Sequence, residues 1–390
     1  MVTQSGKPRP ALSSALSGLL PDELGTLLLQ SCLARGAACG RAWTELQGRE
    51  RGLTELFRTD RGELKRLGPL LLDNLRRNGV GADARLSTVL RTGALREELR
   101  SNIYREVLEQ VLGTLESAGV DSILLGGAAL AEQVYQTPSL RHSHDIDLLV
   151  AEADLERAAG ALTGAEFSRE AAAPSRDGAL LMIHRNSLPV RLAASMYELA
   201  RPEGSLAEVR GWSTEFHVGQ ARTRVLRPEA ALAYALARAA FSPRRSTLQW
   251  AADGWMICTA TDSLDNQAFV AAARRSLLLL PCVIMLGYLA RIGAPIAPGF
   301  LEAVTRAAES TTALERDLAL FGLRRGAPGG VRGLMRRAPD THTRLALLAW
   351  LAFPSPGYLR WTRPAGGRIP TPALYLVRAA SALRDFSARP

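Results

Sequence analysis

The chain has 390 residues and a formal net charge of +10. That length favours two or three domains over one. Nearly half the residues are apolar and charged residues are not depleted, which is the composition of a soluble globular protein able to bury a real core.

A basic balance raises nucleic acid, an anionic membrane surface or phosphate ligands as partners. Only Lys7 and Lys65 are lysines; every other basic residue is an arginine. With abundant Ala, Leu and Gly, this skew matches the codon bias of a GC-rich genome. No dense basic run with interleaved aromatics is present, so nucleic acid is not the expected partner. Arginine pairs well with phosphate, so a nucleotide ligand accounts for the charge equally well.

The four cysteines, Cys32, Cys39, Cys258 and Cys282, fit neither a zinc pattern nor a Cys-x-x-Cys motif. They read as buried free thiols of a cytoplasmic protein. The N-terminus lacks the continuous apolar stretch of a secretory signal. The most apolar window, Leu277 to Ala290, is short for a membrane span and contains Pro281, so it reads as a core helix.

In chain order, residues 1–10 are expected to be a disordered tail. A helical pattern follows to about Gly119, with Pro21-Asp22-Glu23 as a helix start. Ile103, Val107, Leu108, Val111, Leu112 and Leu115 recur at helical spacing. The pattern then changes: Ser122–Leu125 reads as a strand, Gly126-Gly127 as a turn, and Ala128–Gln136 as a helix. Thr137-Pro138-Ser139 breaks that helix. Asp145–Val150 reads as a second strand, followed by a helix over Glu152–Leu162. Leu180–Ile183 and Pro189–Ala193 read as two more strands around a turn at Asn186-Ser187. Beyond Pro228 the spacing predicts helices over Glu229–Ala240, Leu248–Thr259, Gln267–Ile292, Leu301–Arg306 and Thr343–Phe353. Gly326–Gly330 and Pro354–Pro370 are loop-like breaks.

The chemistry-bearing run is Asp145-Ile146-Asp147-Leu148-Leu149-Val150. Residues two apart in a strand point to one side, so both carboxylates face one way and Ile146 and Leu148 the other. Two aspartates so close repel unless a cation lies between them, and hard oxygen ligands favour Mg²⁺ or Mn²⁺. Upstream, Ile123 to Leu130 reads strand, glycine turn, helix. Gly126 and Gly127 let the backbone approach a phosphate, and the free N–H groups of a helix start favour an anion.

Gly126-Gly127 followed by Asp145-x-Asp147 resembles the nucleotidyltransferase superfamily related to DNA polymerase β. The fuller run of Leu125 to Leu130, Tyr135, Arg141 and Asp145 to Val150 is similar to an uncharacterised bacterial branch of it. The likeness extends to Ala230–Pro298, with Asp253 mid-helix, and to Phe353–Arg378, so that it covers most of the chain from about residue 60. It implies a small mixed-sheet nucleotidyltransferase core over 121–228, between an N-terminal helical region (11–120) and a C-terminal one (229–390), an α+β fold. It further implies that Asp145 and Asp147 bind Mg²⁺ or Mn²⁺, which neutralises the NTP triphosphate and orients its α-phosphate. Gly126, Gly127 and Arg141 would contact phosphates, though Arg141 could equally pair with an acid.

Two positions depart from the family pattern. Gly126 stands where the branch usually has a lysine. Arg191, in Leu188 to Ala193, stands where an acid usually completes the metal site, and Ala193 where a histidine often follows. Arg191 could grip a phosphate or pair with Asp145 or Asp147. Asp177 or Glu198 could substitute for the acid, two carboxylates could suffice, or the chemistry could be lost and the pocket kept.

His142 and His144 share a strand phase opposite to the aspartates, which argues against one shared ligand set. One of them, His144 foremost, is the candidate for a substrate contact. His184 reads as a structural histidine. Ser195 lacks a nucleophile-elbow context. Trp250 and Trp255 read as helix packing, and Asp253 as either a surface acid or a pocket residue. The expected function is transfer of a nucleotidyl group from an NTP to an acceptor hydroxyl of a small molecule or peptide. Natural-product or modified-peptide biosynthesis is the expected setting. The competing expectation is a repurposed fold, marked by Arg191, that binds or scaffolds.

Overall fold

The structure is a computed structural model. It describes residues 19–59, 63–170, 179–196, 205–241, 248–276 and 278–317, with Leu16 and isolated positions between 319 and 378. The expected tail at 1–10, the acids Asp177 and Glu198, the break at 326–330, most of the break expected at 354–370 and most of the expected helix at 343–353 lie outside the described residues; within 354–370, Pro356 and Leu359 are helical.

The N-terminal part is helical: α1 (Glu23–Leu33), α2 (Ala37–Arg49), α3 (Leu53–Thr59), α4 (Glu63–Arg77) and α5 (Ala84–Ser117). Asp22 caps α1 by accepting from the Gly25 N–H at 2.8 Å, and Asp83 caps α5 by accepting from the Leu86 N–H at 2.9 Å. At 34 residues α5 is about 50 Å long. Its C-terminal half is buried through Tyr104, Val107, Val111 and Leu115, whereas Leu95, Leu99 and Ile103 face outward. Ile103 therefore does not belong to the buried stripe expected of it. The helix stops at Gly119, in the left-handed region at φ +66°, with Val120 N–H bonding back to the Leu115 carbonyl.

The middle of the chain runs β1 (Ser122–Leu125), α6 (Gly126–Gln133), β2 (Ile146–Val150), α7 (Leu155–Thr163), β3 (Phe167–Arg169), β4 (Leu180–His184), β5 (Pro189–Ala193), α8 (Leu206–Arg210), β6 (Ser213–Val218) and β7 (Ala221–Leu226). The strands form one mixed sheet in the order β3-β4-β5-β2-β1-β7-β6. Strand β2 runs antiparallel to β1 and parallel to β5, a register that sets Asp147 beside Leu125 on one side and Arg191 on the other. The C-terminal helices are α9 (Pro228–Phe241), α10 (Gln249–Ala260), α11 (Asn266–Arg275), α12 (Leu279–Ile292) and α13 (Pro298–Ala308). The single helix expected over Gln267–Ile292 is two. Pro281 lies in the first turn of α12, where its missing N–H costs no helical bond, and so marks a start rather than an interior.

Period-two alternation gives the sheet two different faces. Leu124, Ile146, Leu148, Val150, Val190 and Leu192 turn toward α5 and α7 and close an apolar core with Val111, Leu115 and Leu162. Ile123, Leu125, Leu149 and Leu226 turn to the other side, against Leu232 and Leu236 of α9. That second core continues without a break into both helical regions, through Leu28, Trp43 and Leu71 at one end and Trp250 and Leu286 at the other. Polar contacts tie the ends together. The Thr26 and Tyr288 hydroxyls lie 2.8 Å apart, and Gln30 Nε2 donates to the Ile292 carbonyl at 3.1 Å. No helix among the described residues is long and apolar enough to cross a membrane.

Candidate active site

The site lies on the second face, where β1 ends, β2 begins and α9 crosses. Asp147 is inside β2 and its side chain is 3% exposed; Asp145 precedes the strand and is 32% exposed. Their shared phase holds. Both carboxylates reach Arg238 of α9, whose guanidinium pairs with Asp147 Oδ2 and lies 3.7 Å from Asp145 Oδ2. A buried carboxylate without a counter-charge costs several kcal/mol, and Arg238 offsets that cost here. The Tyr234 phenol beside it, then Asp147 and Asp145, hold the Arg238 guanidinium above its ordinary value against the cost of burial. Arg191 adds a second positive charge, with Nη1 3.8 Å from Asp147 Oδ1. That distance is too long for a hydrogen bond, and Asp147 Oδ1 is buried without any hydrogen-bond partner.

The two glycines make room for arginines. Gly126 takes φ +62°, and a Cβ there would stand 2.7 Å from Arg238 Nη1. Gly127 lies under the Arg141 guanidinium so closely that a methyl group would overlap it. The helix α6 starts at Gly126 itself, so the expected free turn is already the first turn of a helix.

Arg141 is held by Asp253 of α10, with Nε to Oδ1 at 3.2 Å and Nη2 to Oδ2 at 2.9 Å. Its Nη1 donates to the His142 carbonyl at 2.9 Å and to Ser143 Oγ at 3.1 Å. Asp253 also accepts from the Tyr135 hydroxyl at 2.7 Å and from Gln249 Nε2 at 3.2 Å. Tyr135, Arg141 and Asp253, which carried the resemblance in sequence, thus meet in one buried polar cluster. Of the two partners open to Arg141, the structure gives it an acid.

A cavity of about 460 Å³ opens between these elements. Gly126, Gly127, Arg141, His144 and Asp145 line it, as do Arg66, Tyr234, Arg238, Trp250 and Asp253. Asp147 and Arg191 lie behind that lining. The His142 and His144 rings stack with centroids 6.0 Å apart but meet different surroundings. His144 lines the cavity, and partial desolvation there lowers its imidazole from its usual value. His142 turns to α5, 2.9 Å from Glu97 Oε2 and 3.0 Å from Arg100 Nη1. Both histidines precede β2, which starts at Ile146, so strand alternation does not set their directions. His184 is buried against Phe167 and accepts from the Asn186 N–H at 3.2 Å, far from the cavity lining.

Sequence reasoning missed Arg238, Tyr234 and Arg66. The signal for Arg238 was present: it is the lone basic residue in the apolar helix Pro228–Phe241, and such a charge must find a partner.

The donor set does not fit the divalent centre that the resemblance implies. A guanidinium already lies against both carboxylates, and Arg191 fills the third position. Together Asp145, Asp147, Arg191 and Arg238 carry no net charge, whereas Mg²⁺ selects clustered anionic oxygens. No group of three or more histidine, cysteine, aspartate or glutamate side chains that could hold a metal ion occurs among the described residues. The cavity walls themselves carry three arginines against two aspartates, a balance suited to an anion.

Among solved structures, the chain is similar to an antigenic nucleotidyltransferase-like protein from Paracoccidioides brasiliensis. The identity is 15% and the TM-score 0.34, over 52% of this chain and 91% of that one. No curated protein matches. The family model described as uncharacterised nucleotidyltransferase matches residues 61–293, which take in the sheet, both glycines, both aspartates, Arg238 and Asp253. On that match, spanning more than half its length, the chain belongs to the uncharacterised nucleotidyltransferase family.

Proposed function

We propose that the protein binds a nucleoside triphosphate in this cavity and transfers its nucleotidyl group to an acceptor hydroxyl. The acceptor oxygen attacks the α-phosphorus and pyrophosphate leaves. The observation that carries this reading is the convergence of Asp145 and Asp147 on one cation beside the start of α6. Arg238 and Arg66 are the residues assigned to the phosphates. Trp250, Leu130 and Ala235 are assigned to the base and sugar as the apolar wall. Asp145, the more exposed carboxylate, is assigned the hydroxyl proton. A small molecule or peptide in a biosynthetic route is the acceptor class we favour.

Incubation with each NTP and candidate acceptors, with Mg²⁺, with Mn²⁺ and in EDTA, tests this through pyrophosphate release and acceptor mass gain. Asp145→Asn and Asp147→Asn should each abolish turnover. Turnover unchanged in both variants would sink the reading. A second reading, a fold kept for binding alone, is favoured by Arg191 at 3.8 Å from Asp147. It predicts nucleotide binding without pyrophosphate release under any metal condition.

A further inference from the structure

The carboxylate pair that should attract a metal is already neutralised from within the chain. Arg238 reaches it from α9 along the cavity wall, and Gly126 is the residue that lets the guanidinium come so close. Arg191 approaches Asp147 from the neighbouring strand, in direct register. A divalent ion entering here must displace a guanidinium paired to both carboxylates and then sit near a second one, with only two carboxylates to compensate. A phosphate meets the opposite balance. Arg238 is 39% exposed and lines the cavity, and a guanidinium has five N–H donors, more than its two aspartates consume.

We infer that Arg238 is the resident cation of this site, in the place of a divalent metal, and that the site takes the polyphosphate of a nucleotide without needing a free metal ion on Asp145 and Asp147. This rests on the nucleotide reading above for its ligand. It does not rest on it for its cation. Asp147 Oδ2 and Asp145 Oδ2, the oxygens Arg238 holds, are the ligand atoms a metal would take if Arg238 were withdrawn.

The test has two arms on the full chain. In the first, Mn²⁺ is titrated without nucleotide and free ion is read by electron paramagnetic resonance. Wild type should bind no stoichiometric Mn²⁺. Arg238→Met should gain one bound ion, and adding Asp147→Asn to that variant should remove it. Stoichiometric Mn²⁺ on wild type that Asp147→Asn abolishes would overturn the inference. So would a folded Arg238→Met that gains nothing, with circular dichroism as the check on folding. Arg238→Lys, which keeps the charge, should stay free of Mn²⁺, so the inference remains testable if the Met variant does not fold. In the second arm, ATP, GTP, CTP and UTP are titrated in EDTA by calorimetry. One of them should bind, and Arg238→Met should weaken it at least about tenfold, the loss expected for a charge-assisted hydrogen bond. Binding only when Mg²⁺ is supplied overturns the metal-free part of the inference. Failure of every nucleotide in both conditions sinks the nucleotide reading instead, and the Mn²⁺ arm still decides the cation.

Discussion

The molecule builds the same pair twice, an arginine over a glycine held by aspartate, and finishes only one of them. Arg141 covers Gly127 and Arg238 covers Gly126, one residue apart. The first cluster is closed. Both Asp253 oxygens are bonded, Arg141 donates to two further oxygens, and the two side chains are 11% and 6% exposed. The second is open. Asp147 keeps one oxygen without a hydrogen bond, Asp145 is a third exposed, and Arg238 looks into the cavity. A saturated buried network rigidifies, whereas an unsaturated one at a cavity is where a ligand gains most. The closed cluster is read as the frame of the site and the open one as its working part.

The largest effect should come from breaking the frame. Removing one partner of a buried ion pair leaves the other charge unpaired, at a cost of about 3–5 kcal/mol. Asp253→Ala should lose stability by about that much in urea unfolding, with the slope unchanged, because it strands Arg141, Tyr135 and Gln249 together. Gly127→Ala should fall in the same direction, since its methyl group displaces the guanidinium. A loss under about 1 kcal/mol in Asp253→Ala would mean that the cluster is hydrated and not a frame at all.

The contrast between the clusters was only half legible in the sequence. Gly126-Gly127, Asp145 and Asp147 stand out because an acid pair at strand spacing and a glycine pair at a strand end are local patterns. Period two then carried the result that both carboxylates face one way. The partners are not local. Arg238 lies 91 residues from Asp147 and Asp253 lies 112 from Arg141, joined where α9 packs on the sheet and α10 on α9. The register of β5 against β2 was legible in outcome, because an arginine aligned with the missing acid does fall beside Asp147. The strands β6 and β7 were not. Ala221-Arg222-Thr223-Arg224-Val225 buries its alternate residues, but the middle one is the polar Thr223, so the run Arg-Thr-Arg shows no apolar alternation in sequence. The short β3 buries only Phe167 and offers no period to read.

A middle-sized effect separates the glycines. Gly126 needs the left-handed region, which costs a residue with a side chain about 1–2 kcal/mol, and its added Cβ also presses on Arg238. Gly126→Ala should therefore be less destabilised than Gly127→Ala in thermal unfolding. It should nevertheless lose nucleotide affinity, by moving the guanidinium that Gly127→Ala leaves in place. Equal affinities in the two variants would erase the distinction between frame and working part.

The smallest effect asks whether an unpartnered buried atom marks a site by itself. Asp147 Oδ1 shares that state with His184 Nε2, on the far strands of the sheet and outside the cavity lining. Burial pushes the His184 imidazole below its usual value, with Arg185 adding to the shift. A histidine depressed in the folded state is bound by more protons when unfolded, so stability is full above the unfolded value of about 6.5 and falls as pH drops through it. Wild type should lose melting temperature between pH 7.5 and 5.5, and His184→Asn, which keeps an acceptor for the Asn186 N–H, should lose less across the same interval. Nucleotide affinity should not change in His184→Asn, because the atom is orphaned by packing and faces no ligand space. An affinity change there would show that the open cluster is wider than the cavity, and that Asp147 Oδ1 is not set apart by its place beside Arg238.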